Sequence, residues 1–398
     1  MNVIIAGKNN IAVYICDWLR TNYPEHQLYA VFNKNDQGID TFQRSFKKYC
    51  NRHHINNISL KEAYELDNSI FLSLEYDQIV KPEMFSHKSI YNIHFSLLPK
   101  YKGMYTSAWP LLNGESESGV TLHCIEQGID TGAIIDQIRF DIDENENAKK
   151  LYLKYIHNGI KLVKKNFESL LAGSFVAVKQ SARDSTYYDR NSINYSTLKL
   201  NFNQTAENIS RQVQAFTFRD FQLPQVNNYK VFGARILEKS SEKKPGNIVN
   251  DNEKSIIIST IDYDVEFYKD NLNVILEKCK TCDGDTLNNY VNTKDILFEK
   301  NHRGWNTICV AAYHGNIDLI YWLTSVGLDI NDTNYNGTTV AMYFKDYIAR
   351  TKEYSKFDKL LKLGADLDIQ DYNGLTIYDY VLESNDIDLI NFIMGFKK

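Results

Sequence analysis

The chain has 398 residues, enough for two or three domains that each bury a core. Its 45 basic and 50 acidic residues give a formal net charge of −5, which excludes an overall basic field for nucleic acid or an anionic membrane. Six scattered cysteines argue against a disulfide framework. The start of the chain lacks the pattern of a secretion signal, and no apolar run reaches about 18 residues. We therefore expect a cytoplasmic protein with no membrane partner.

The N-terminal residues predict alternating strands and helices. Residues 1–7 contain the apolar run Val-Ile-Ile-Ala-Gly, which predicts a short buried parallel strand that ends in a turn. Residues 10–23 have the apolar spacing of a helix, and residues 27–32 predict a second strand. This order indicates a doubly wound, Rossmann-like sheet. Only one glycine stands where a dinucleotide fingerprint needs three. Lys8 and Asn9, just beyond the first strand, are candidates for contacting a phosphate or sugar, with a solvated loop as the alternative.

Two further strands are predicted at residues 69–74 and 89–95, and the second of them carries two polar side chains. Alternate residues of a strand face the same side, so Asn92 and His94 can converge on one point. An isolated strand histidine is usually only a hydrogen-bonded core or surface residue. Here Ser-Leu-Leu-Pro follows directly, and Asp130 stands on a turn flanked by glycines. An amide, an imidazole and a carboxylate together can hold a reacting carbonyl and move a proton.

These residues resemble a known enzyme family. Asn92-Ile-His-Phe-Ser-Leu-Leu-Pro-Lys-Tyr-Lys-Gly, Gly119-Val-Thr-Leu-His and Gly128-Ile-Asp-Thr-Gly are similar to the core motifs of the folate-dependent formyltransferases, and the resemblance extends over roughly residues 1–265. That family includes enzymes acting on methionyl-tRNA, glycinamide ribonucleotide and nucleotide-linked amino sugars. The resemblance implies transfer of a formyl group from N10-formyltetrahydrofolate to an amine. It also implies that no metal is needed and that the catalytic residues are Asn92, His94 and Asp130.

By the same resemblance, the folate lies along the loop after residues 69–74 and along the turn before Asp130. A solvated loop is the alternative for the first loop. The cofactor-binding residues expected there are Asp77, Gln78, Ile79, Gln127, Gly128 and Ile129.

The acceptor is expected to contact later residues. Residues 176–195 interleave basic and aromatic side chains, which suit phosphate pairing and ring stacking, although a solvated connection between domains is an equal alternative. The Ala-Phe-Thr-Phe-x-x-Phe-Gln-Leu-Pro run within residues 205–238 resembles the sugar-nucleotide branch of the family, where it borders the acceptor site. The substrate-binding candidates are Lys8, Asn9, Lys100, Met104, Arg183, Tyr187, Arg190, Phe218 and Gln222.

The C-terminal part has a repeating pattern of a different kind. A helix at residues 205–216 and strands around residues 231–237, 255–261 and 265–267 predict a small β-rich subdomain before it. Glycines then recur at positions 304, 337 and 374, near the 33-residue period of ankyrin repeats, with second-helix endings such as Leu-Leu-Lys-Leu-Gly-Ala-Asp. We expect about three irregular repeats. Trp305 follows the first turn glycine, so we expect an exposed ring that binds a ligand or a protein partner.

The sequence thus predicts an α/β, Rossmann-like formyltransferase core at residues 1–190, a small β-rich subdomain at 191–268 and an all-α ankyrin-repeat domain at 269–398. The favoured function is N-formylation of a dTDP-linked dideoxy amino sugar, for O-antigen or lipopolysaccharide synthesis, by a homodimer. The amine position, C3 or C4, stays open, and the nucleotide base is not securely identified. A methionyl-tRNA-type formyltransferase is the first alternative, disfavoured by the acidic charge. The second is an ankyrin adaptor with a vestigial core.

Overall fold

The computed structural model describes residues 1–397, except for the side chain of Thr197, so Lys398 of the predicted repeat domain lies outside the described residues. The strands are β1 (Asn2–Gly7), β2 (Gln27–Phe32), β3 (Asn56–Asn57), β4 (Ser69–Leu74), β5 (Ile90–His94), β6 (Lys102–Gly103), β7 (Glu117–Cys124), β8 (Ile134–Asp141), β9 (Tyr187–Tyr188), β10 (Gln225–Val226), β11 (Tyr229–Ser240), β12 (Ile248–Asp251), β13 (Ser255–Ile258) and β14 (Tyr263–Lys269). The helices are α1 (Asn9–Asn22), α2 (Phe46–Arg52), α3 (Leu60–Glu65), α4 (Trp109–Leu112), α5 (Ala148–Ala172), α6 (Ala206–Phe216), α7 (Leu272–Lys278), α8 (Gly284–Asn288), α9 (Thr307–Tyr313), α10 (Ile317–Ser325), α11 (Val340–Thr351), α12 (Ser355–Lys362), α13 (Ile377–Leu382) and α14 (Ile387–Met394).

The N-terminal part is built on a seven-stranded sheet with the order β3-β2-β1-β4-β5-β7-β8. Strands β1, β2, β4 and β5 run parallel, whereas β7 is antiparallel to β5 and β8 is antiparallel to β7. All six residues of β4 are buried, as expected where elements pack on both faces of a parallel sheet. The sequence predicted these four parallel strands to within a residue or two. The predicted Rossmann-like α/β core is confirmed.

Helix α5 packs closely on the sheet and helps to shape the site at its edge. Asn147 caps the N-terminus of the helix, because its side chain accepts a hydrogen bond from the Lys150 N–H. At Gly159 a Cβ would stand only 2.9 Å from the Ile11 side chain and 3.2 Å from that of Ile93. A larger residue at this position would require the ends of these isoleucine side chains to shift. Tyr152, two turns earlier on the same helix face, is thereby directed toward the strand ends.

A second sheet has five strands in the order β10-β11-β14-β13-β12. The strands predicted at residues 231–237, 255–261 and 265–267 correspond to β11, β13 and β14. The predicted helix is α6, where the Thr205 side chain accepts a hydrogen bond from the Asn208 N–H. Strand β12 was not predicted, because all four of its residues are exposed and no apolar face alternates with a polar one.

The chain divides into two compact units, Met1–Val249 with Ile257–Phe267 and Asn250–Ile256 with residues 268–398. In the second unit the helices contact each other as consecutive pairs, α9 with α10, α11 with α12 and α13 with α14. None of the described helices has the length and hydropathy of a bilayer-spanning segment.

The turns before α9, α11 and α13 are built alike. Asn301, Asn334 and Asp371 each accept hydrogen bonds from the backbone N–H groups two and four residues further along the chain. Each turn also contains a glycine with a positive φ, at Gly304, Gly337 and Gly374. The same local structure is therefore repeated three times, with the glycine in the left-handed conformation that it adopts at little cost.

Successive turns also approach one another closely. A Cβ on Gly304 would stand 2.3 Å from the backbone nitrogen of Tyr335, and one on Gly337 would stand 2.7 Å from that of Tyr372. Real Cβ atoms do not tolerate such distances from backbone. The recurring glycines therefore serve both the turn conformation and the stacking of one turn on the next.

Candidate active site

Strand β5 presents the two polar residues that the sequence selected. Asn92 and His94 alternate along β5, so their side chains leave the same face. In the antiparallel pairing with β7, Asn92 lies opposite His123 and His94 lies opposite Thr121. Asp130 stands in the turn after β7 with a φ of 54°, which residues other than glycine seldom adopt. This turn returns the carboxylate to β5, where Asp130 Oδ2 lies 3.4 Å from His94 Nδ1.

His94 is buried, and both of its ring nitrogens face protein acceptors. Its Nε2 lies 2.7 Å from the Tyr101 carbonyl oxygen, and because a carbonyl can only accept, Nε2 carries a proton. On the other side, Nδ1 faces Asp130, which also accepts a hydrogen bond from the Gly103 N–H at 2.9 Å. The ring is therefore oriented by an acceptor on each side. A histidine held in this way can stabilise negative charge on a reacting oxygen and transfer a proton.

His123 also lies at this site, although no role was predicted for it. Its Nδ1 donates to the Cys124 carbonyl at 2.7 Å, so Nε2 is free to accept from Asn92 Nδ2 at 3.0 Å. Burial lowers the pKa of His123 well below its ordinary value, which keeps the ring neutral and Nε2 an acceptor. Asn92 is therefore fixed through one N–H, and its second N–H remains for a ligand. The only signal in the sequence was the histidine within Gly119-Val-Thr-Leu-His.

The predicted cofactor-binding residues lie in the two expected loops. Asp77, Gln78 and Ile79 follow β4, and Gln127, Gly128 and Ile129 follow β7. Ile79 exposes 76% of its surface and Ile129 exposes 44%. Gln78 donates to the Tyr76 hydroxyl at 2.9 Å. Each loop therefore offers an exposed apolar side chain beside polar groups, which suits contact with the face and the edge of a flat polar ring.

Two of the predicted substrate-binding residues share one cleft. Lys100 and Arg183 line a cavity of about 310 Å³ together with Tyr101 and Arg139. Lys100 pairs with Glu115 at 3.2 Å. The same cleft is also lined by Glu115, Glu117 and Asp184, which pair with its basic side chains. Nucleotide binding at this cleft stays a prediction.

Met104 and Tyr187, a second pair of predicted substrate-binding residues, lie beside the segment that contains Tyr101 and Gly103. Met104 donates its backbone N–H to the Tyr188 carbonyl at 2.8 Å, next to Tyr187 in β9. The side chains of Met104 and Tyr187 are both exposed. Arg190 is exposed, and its carbonyl accepts from the Tyr105 hydroxyl.

The remaining candidates lie at or near the ends of β1 and α6. The Lys8 N–H donates to the Leu74 carbonyl, and Asn9 begins α1. Phe218 is buried, with its ring packed in the core of the first unit, and the Gln222 side chain donates to a backbone carbonyl in the same segment. Phe221, between these two, is instead 68% exposed and was not among the predicted residues. Its exposure makes Phe221 the more accessible ring of this run.

Trp305, in the second unit, is half-buried, so the prediction of an exposed ring is wrong. Its ring centre lies 4.8 Å from that of Tyr343 and 5.3 Å from that of Tyr313. The Arg350 guanidinium lies over Tyr313 at 4.3 Å. Trp305 is therefore part of an aromatic and basic cluster within its own unit.

Comparisons with known proteins identify the family of the chain. The profile of the family described as "Formyl transferase" matches residues 22–165, and that of "Formyl transferase, C-terminal domain" matches residues 192–291. The second match runs past the predicted subdomain boundary at residue 268. It thus assigns a formyltransferase C-terminal domain, which includes β-sheet, to residues that the sequence divided between the β-rich subdomain and the helical repeats.

Individual proteins give the same assignment. The N-formyltransferase from Helicobacter canadensis, solved in complex with folinic acid and dTDP-3-aminofucose, is 42% identical; the match covers 67% of this chain and 99% of that chain, with a TM-score of 0.63. WlaRD, a sugar 3N-formyl transferase solved with dTDP and 5-N-formyl-THF, is 41% identical over 68% of this chain and 98% of its own, with a TM-score of 0.64. Methionyl-tRNA formyltransferase from Staphylococcus aureus is 26% identical over 53% of this chain and 68% of its length. The chain belongs to the formyltransferase family and is an enzyme of that family.

Proposed function

We propose that this enzyme transfers the formyl group of N10-formyltetrahydrofolate to the amine of a dTDP-linked dideoxy amino sugar, with the amine on C3. The observation that carries the proposal is the grouping of Asn92, His94 and Asp130 in a chain that is 42% identical to an N-formyltransferase described with a dTDP-3-amino sugar. A product of this class would enter O-antigen or lipopolysaccharide synthesis. The predicted cytoplasmic location stays a prediction.

The residues fit the chemistry of formyl transfer. The amine nitrogen bonds to the formyl carbon, the bond from that carbon to N10 breaks, and one proton moves from the amine to N10. Asn92 donates its second N–H to the formyl oxygen as that oxygen gains negative charge, because His123 holds the first. His94 takes the amine proton on Nδ1, because Nε2 already donates to the Tyr101 carbonyl, and it passes a proton to N10. Asp130 holds the His94 ring in place and stabilises its charge.

The folate donor supplies the activated formyl carbon. Ile79 and Ile129 suit the apolar face of its pterin ring, and the neighbouring polar groups suit the edge. We assign the pterin contacts to Asp77, Gln78, Ile79, Gln127, Gly128 and Ile129. The nucleotide-sugar contacts proposed from the sequence are retained, with Phe221 added to them because its ring is accessible.

We also infer that residues 269–397 form ankyrin-type repeats. Three turns with the same hydrogen bonds and glycines spaced close to 33 residues support this assignment. The usual Thr-Pro-Leu-His start of the first helix is replaced by Asn306-Thr-Ile-Cys, Thr339-Val-Ala-Met and Thr376-Ile-Tyr-Asp, but each start still has a capping side chain. The division at residues 190 and 268 stays a proposal.

Two binding roles are proposed beyond the catalytic site. Trp305, with Tyr313 and Arg350 nearby, is a candidate for binding a nucleotide-sugar or a partner through stacking and charge. Tryptophan fluorescence during titration with dTDP-amino sugars tests this role, with Trp305→Phe as the control.

A homodimer is also proposed, and the exposed Ile248 and Val249 on β12 give the five-stranded sheet an apolar edge for such a contact. Sedimentation velocity measures the oligomeric state.

Product analysis tests the proposed function. Purified full-length enzyme is incubated with N10-formyltetrahydrofolate and either a panel of dTDP-linked 3-amino and 4-amino sugars or charged methionyl-tRNA. The products are identified by mass spectrometry. We expect one added formyl group on a 3-amino sugar. Formylation of charged tRNA instead would favour the methionyl-tRNA alternative, to which the 26% identity points. Turnover of neither class would support the adaptor alternative.

A further inference from the structure

A second polar cluster stands one strand away from His94. In the pairing of β4 with β5, Leu74 lies opposite Ile93. Glu75 follows Leu74, and His94 follows Ile93. The two residues therefore lie side by side at the carboxyl ends of neighbouring strands. The cluster consists of Asn9, Glu75 and Tyr152.

The Glu75 carboxylate is held by two neutral donors. The Tyr152 hydroxyl lies 2.8 Å from Oε1 and 2.9 Å from Oε2, and Asn9 Nδ2 lies 3.2 Å from Oε2. Asn9 Nδ2 also lies 2.9 Å from the Tyr152 hydroxyl. Burial, together with the Glu75 charge, raises the pKa of Tyr152 well above its ordinary value. The phenol therefore keeps its proton and donates it to the carboxylate.

The backbone at this cluster is strained in two places. Asn9 has a φ of 64° and Glu75 a φ of 59°. Such conformations are unfavourable for most residues other than glycine, less so for asparagine, and they concentrate at functional sites. The buried Asn33 side chain donates to the Glu75 carbonyl at 2.8 Å and helps to hold the second of them. The fold thus maintains an unfavourable conformation that presents a carboxylate at the sheet edge.

The carboxylate has capacity for another donor. An ionised carboxylate offers about four acceptor positions, whereas Tyr152 and Asn9 supply one proton each. Glu75 is only half-buried, so part of it is accessible. Aromatic rings stand next to it, because Phe42 and Phe218 contact the Tyr152 ring, and Phe221 contacts both of these phenylalanines.

This combination matches one chemical class. A sugar ring presents apolar C–H faces to aromatic side chains and hydroxyl groups to acceptors. Burial raises the pKa of the Glu75 carboxyl, whereas the Tyr152 and Asn9 hydrogen bonds and the Lys8 charge oppose that rise. In its ionised form this carboxylate binds a neutral O–H donor with a strong, charge-assisted hydrogen bond. A dideoxy amino hexose with its amine on C3 or C4 keeps a hydroxyl on a ring carbon adjacent to that amine.

We propose that Glu75 determines acceptor specificity by accepting a hydrogen bond from the ring hydroxyl adjacent to the reacting amine. Asn9 and Tyr152 act as positioning residues for this carboxylate. The inference rests on the proposed function, because it requires an amino-sugar acceptor at the catalytic site.

The test compares acceptors that differ by one hydroxyl. Full-length enzyme is assayed with a dTDP-3-amino-3,6-dideoxyhexose and with its 2-deoxy and 4-deoxy analogues, and kcat and KM are measured separately. We expect wild-type kcat/KM to fall by about 100-fold or more for one of the two analogues, because a site built for a hydroxyl is left with an unpaired group. Glu75→Ala should lower kcat/KM for the complete sugar. The ratio of kcat/KM between the complete sugar and that deoxy analogue, here called the discrimination, should fall to less than about threefold.

Matched variants separate recognition from folding. Glu83→Gln, an exposed glutamate in the same loop region, should leave the discrimination unchanged. Equal losses for complete and deoxy sugars in Glu75→Ala would assign the cluster a purely structural role and overturn the inference. If Glu75→Ala does not fold, wild-type enzyme with equal kcat/KM for all three sugars overturns it without any variant. Wild-type enzyme inactive on every amino sugar would instead refute the proposed function, and the inference with it.

Discussion

The two units use polar residues in opposite ways. In the first unit Asn92 and His94 lie on one face of β5, Asp130 lies beside His94, and His123 contacts Asn92. In the second unit an Asn or Asp side chain accepts the same two backbone hydrogen bonds in three successive turns. A unique polar residue carries chemistry, whereas a repeated one carries conformation. Substitutions in the first unit should therefore remove turnover, and substitutions in the second should remove only part of the stability.

The largest effect is expected at His94. His94→Asn removes the group that moves the proton, so kcat should fall by on the order of 10³-fold. The far-ultraviolet circular dichroism should be unchanged. The exposed His302→Asn is the control and should keep wild-type kcat. Wild-type turnover in His94→Asn would show that this residue has no part in the mechanism. The expected difference between the two units, turnover in the first and stability in the second, would then not hold.

Asn92 should have the next largest effect. Asn92→Ala removes the N–H that faces the formyl oxygen, and loss of one such donor lowers kcat by about 10²–10³-fold. KM for the sugar should change little, because the interaction forms mainly in the transition state. Steady-state kinetics separates the two parameters. A rise in KM with unchanged kcat would instead make Asn92 a ground-state binding residue.

The sequence predicted the parts of this site that depend on local pattern. Apolar runs gave β1, β2 and β4, and the two-residue period of a strand brought Asn92 and His94 together. It missed what depends on pairing distant segments. His123 faces Asn92 only because β7 lies antiparallel to β5, and Tyr152 reaches Glu75 only because α5 packs on the sheet. Neither contact leaves a periodic signal in the chain.

A smaller effect is expected from the ionisation of His123, which changes how the free energy of unfolding depends on pH. Burial lowers its pKa, so the folded chain binds fewer protons than the unfolded chain once the pH falls below the unfolded value of about 6.5. The free energy of unfolding should then decrease as the pH falls. His123→Asn removes this contribution, so its midpoint of thermal unfolding should depend less on pH between 7.5 and 5.5 than that of wild type, as checked by calorimetry.

Other histidines whose pKa is lowered by burial, such as His53 and His87, remain in this variant, so a residual slope is expected. His302→Asn, which changes an exposed histidine, should retain the wild-type slope. An unchanged slope in His123→Asn would show that the ring ionises in the folded chain, and it would then no longer be a neutral acceptor for Asn92.

The smallest effect on turnover is expected in the second unit, where Gly337 of a repeated turn and Gly364 after α12 form a matched pair. Gly337 and Gly364 both have positive φ, but only Gly337 has the backbone of Tyr372 within 3 Å of a Cβ position, whereas Gly364 has nothing within 4 Å. Gly364→Ala should destabilise the chain by about 1 kcal/mol through strain alone. Gly337→Ala should cost about 1–3 kcal/mol more, because the next turn must move away. Urea unfolding measures both, and kcat should be unchanged in both. Equal losses for the two variants would mean that the close approach of successive turns contributes nothing, and a fall in kcat would show that the repeated turns act on the reaction as well as on stability.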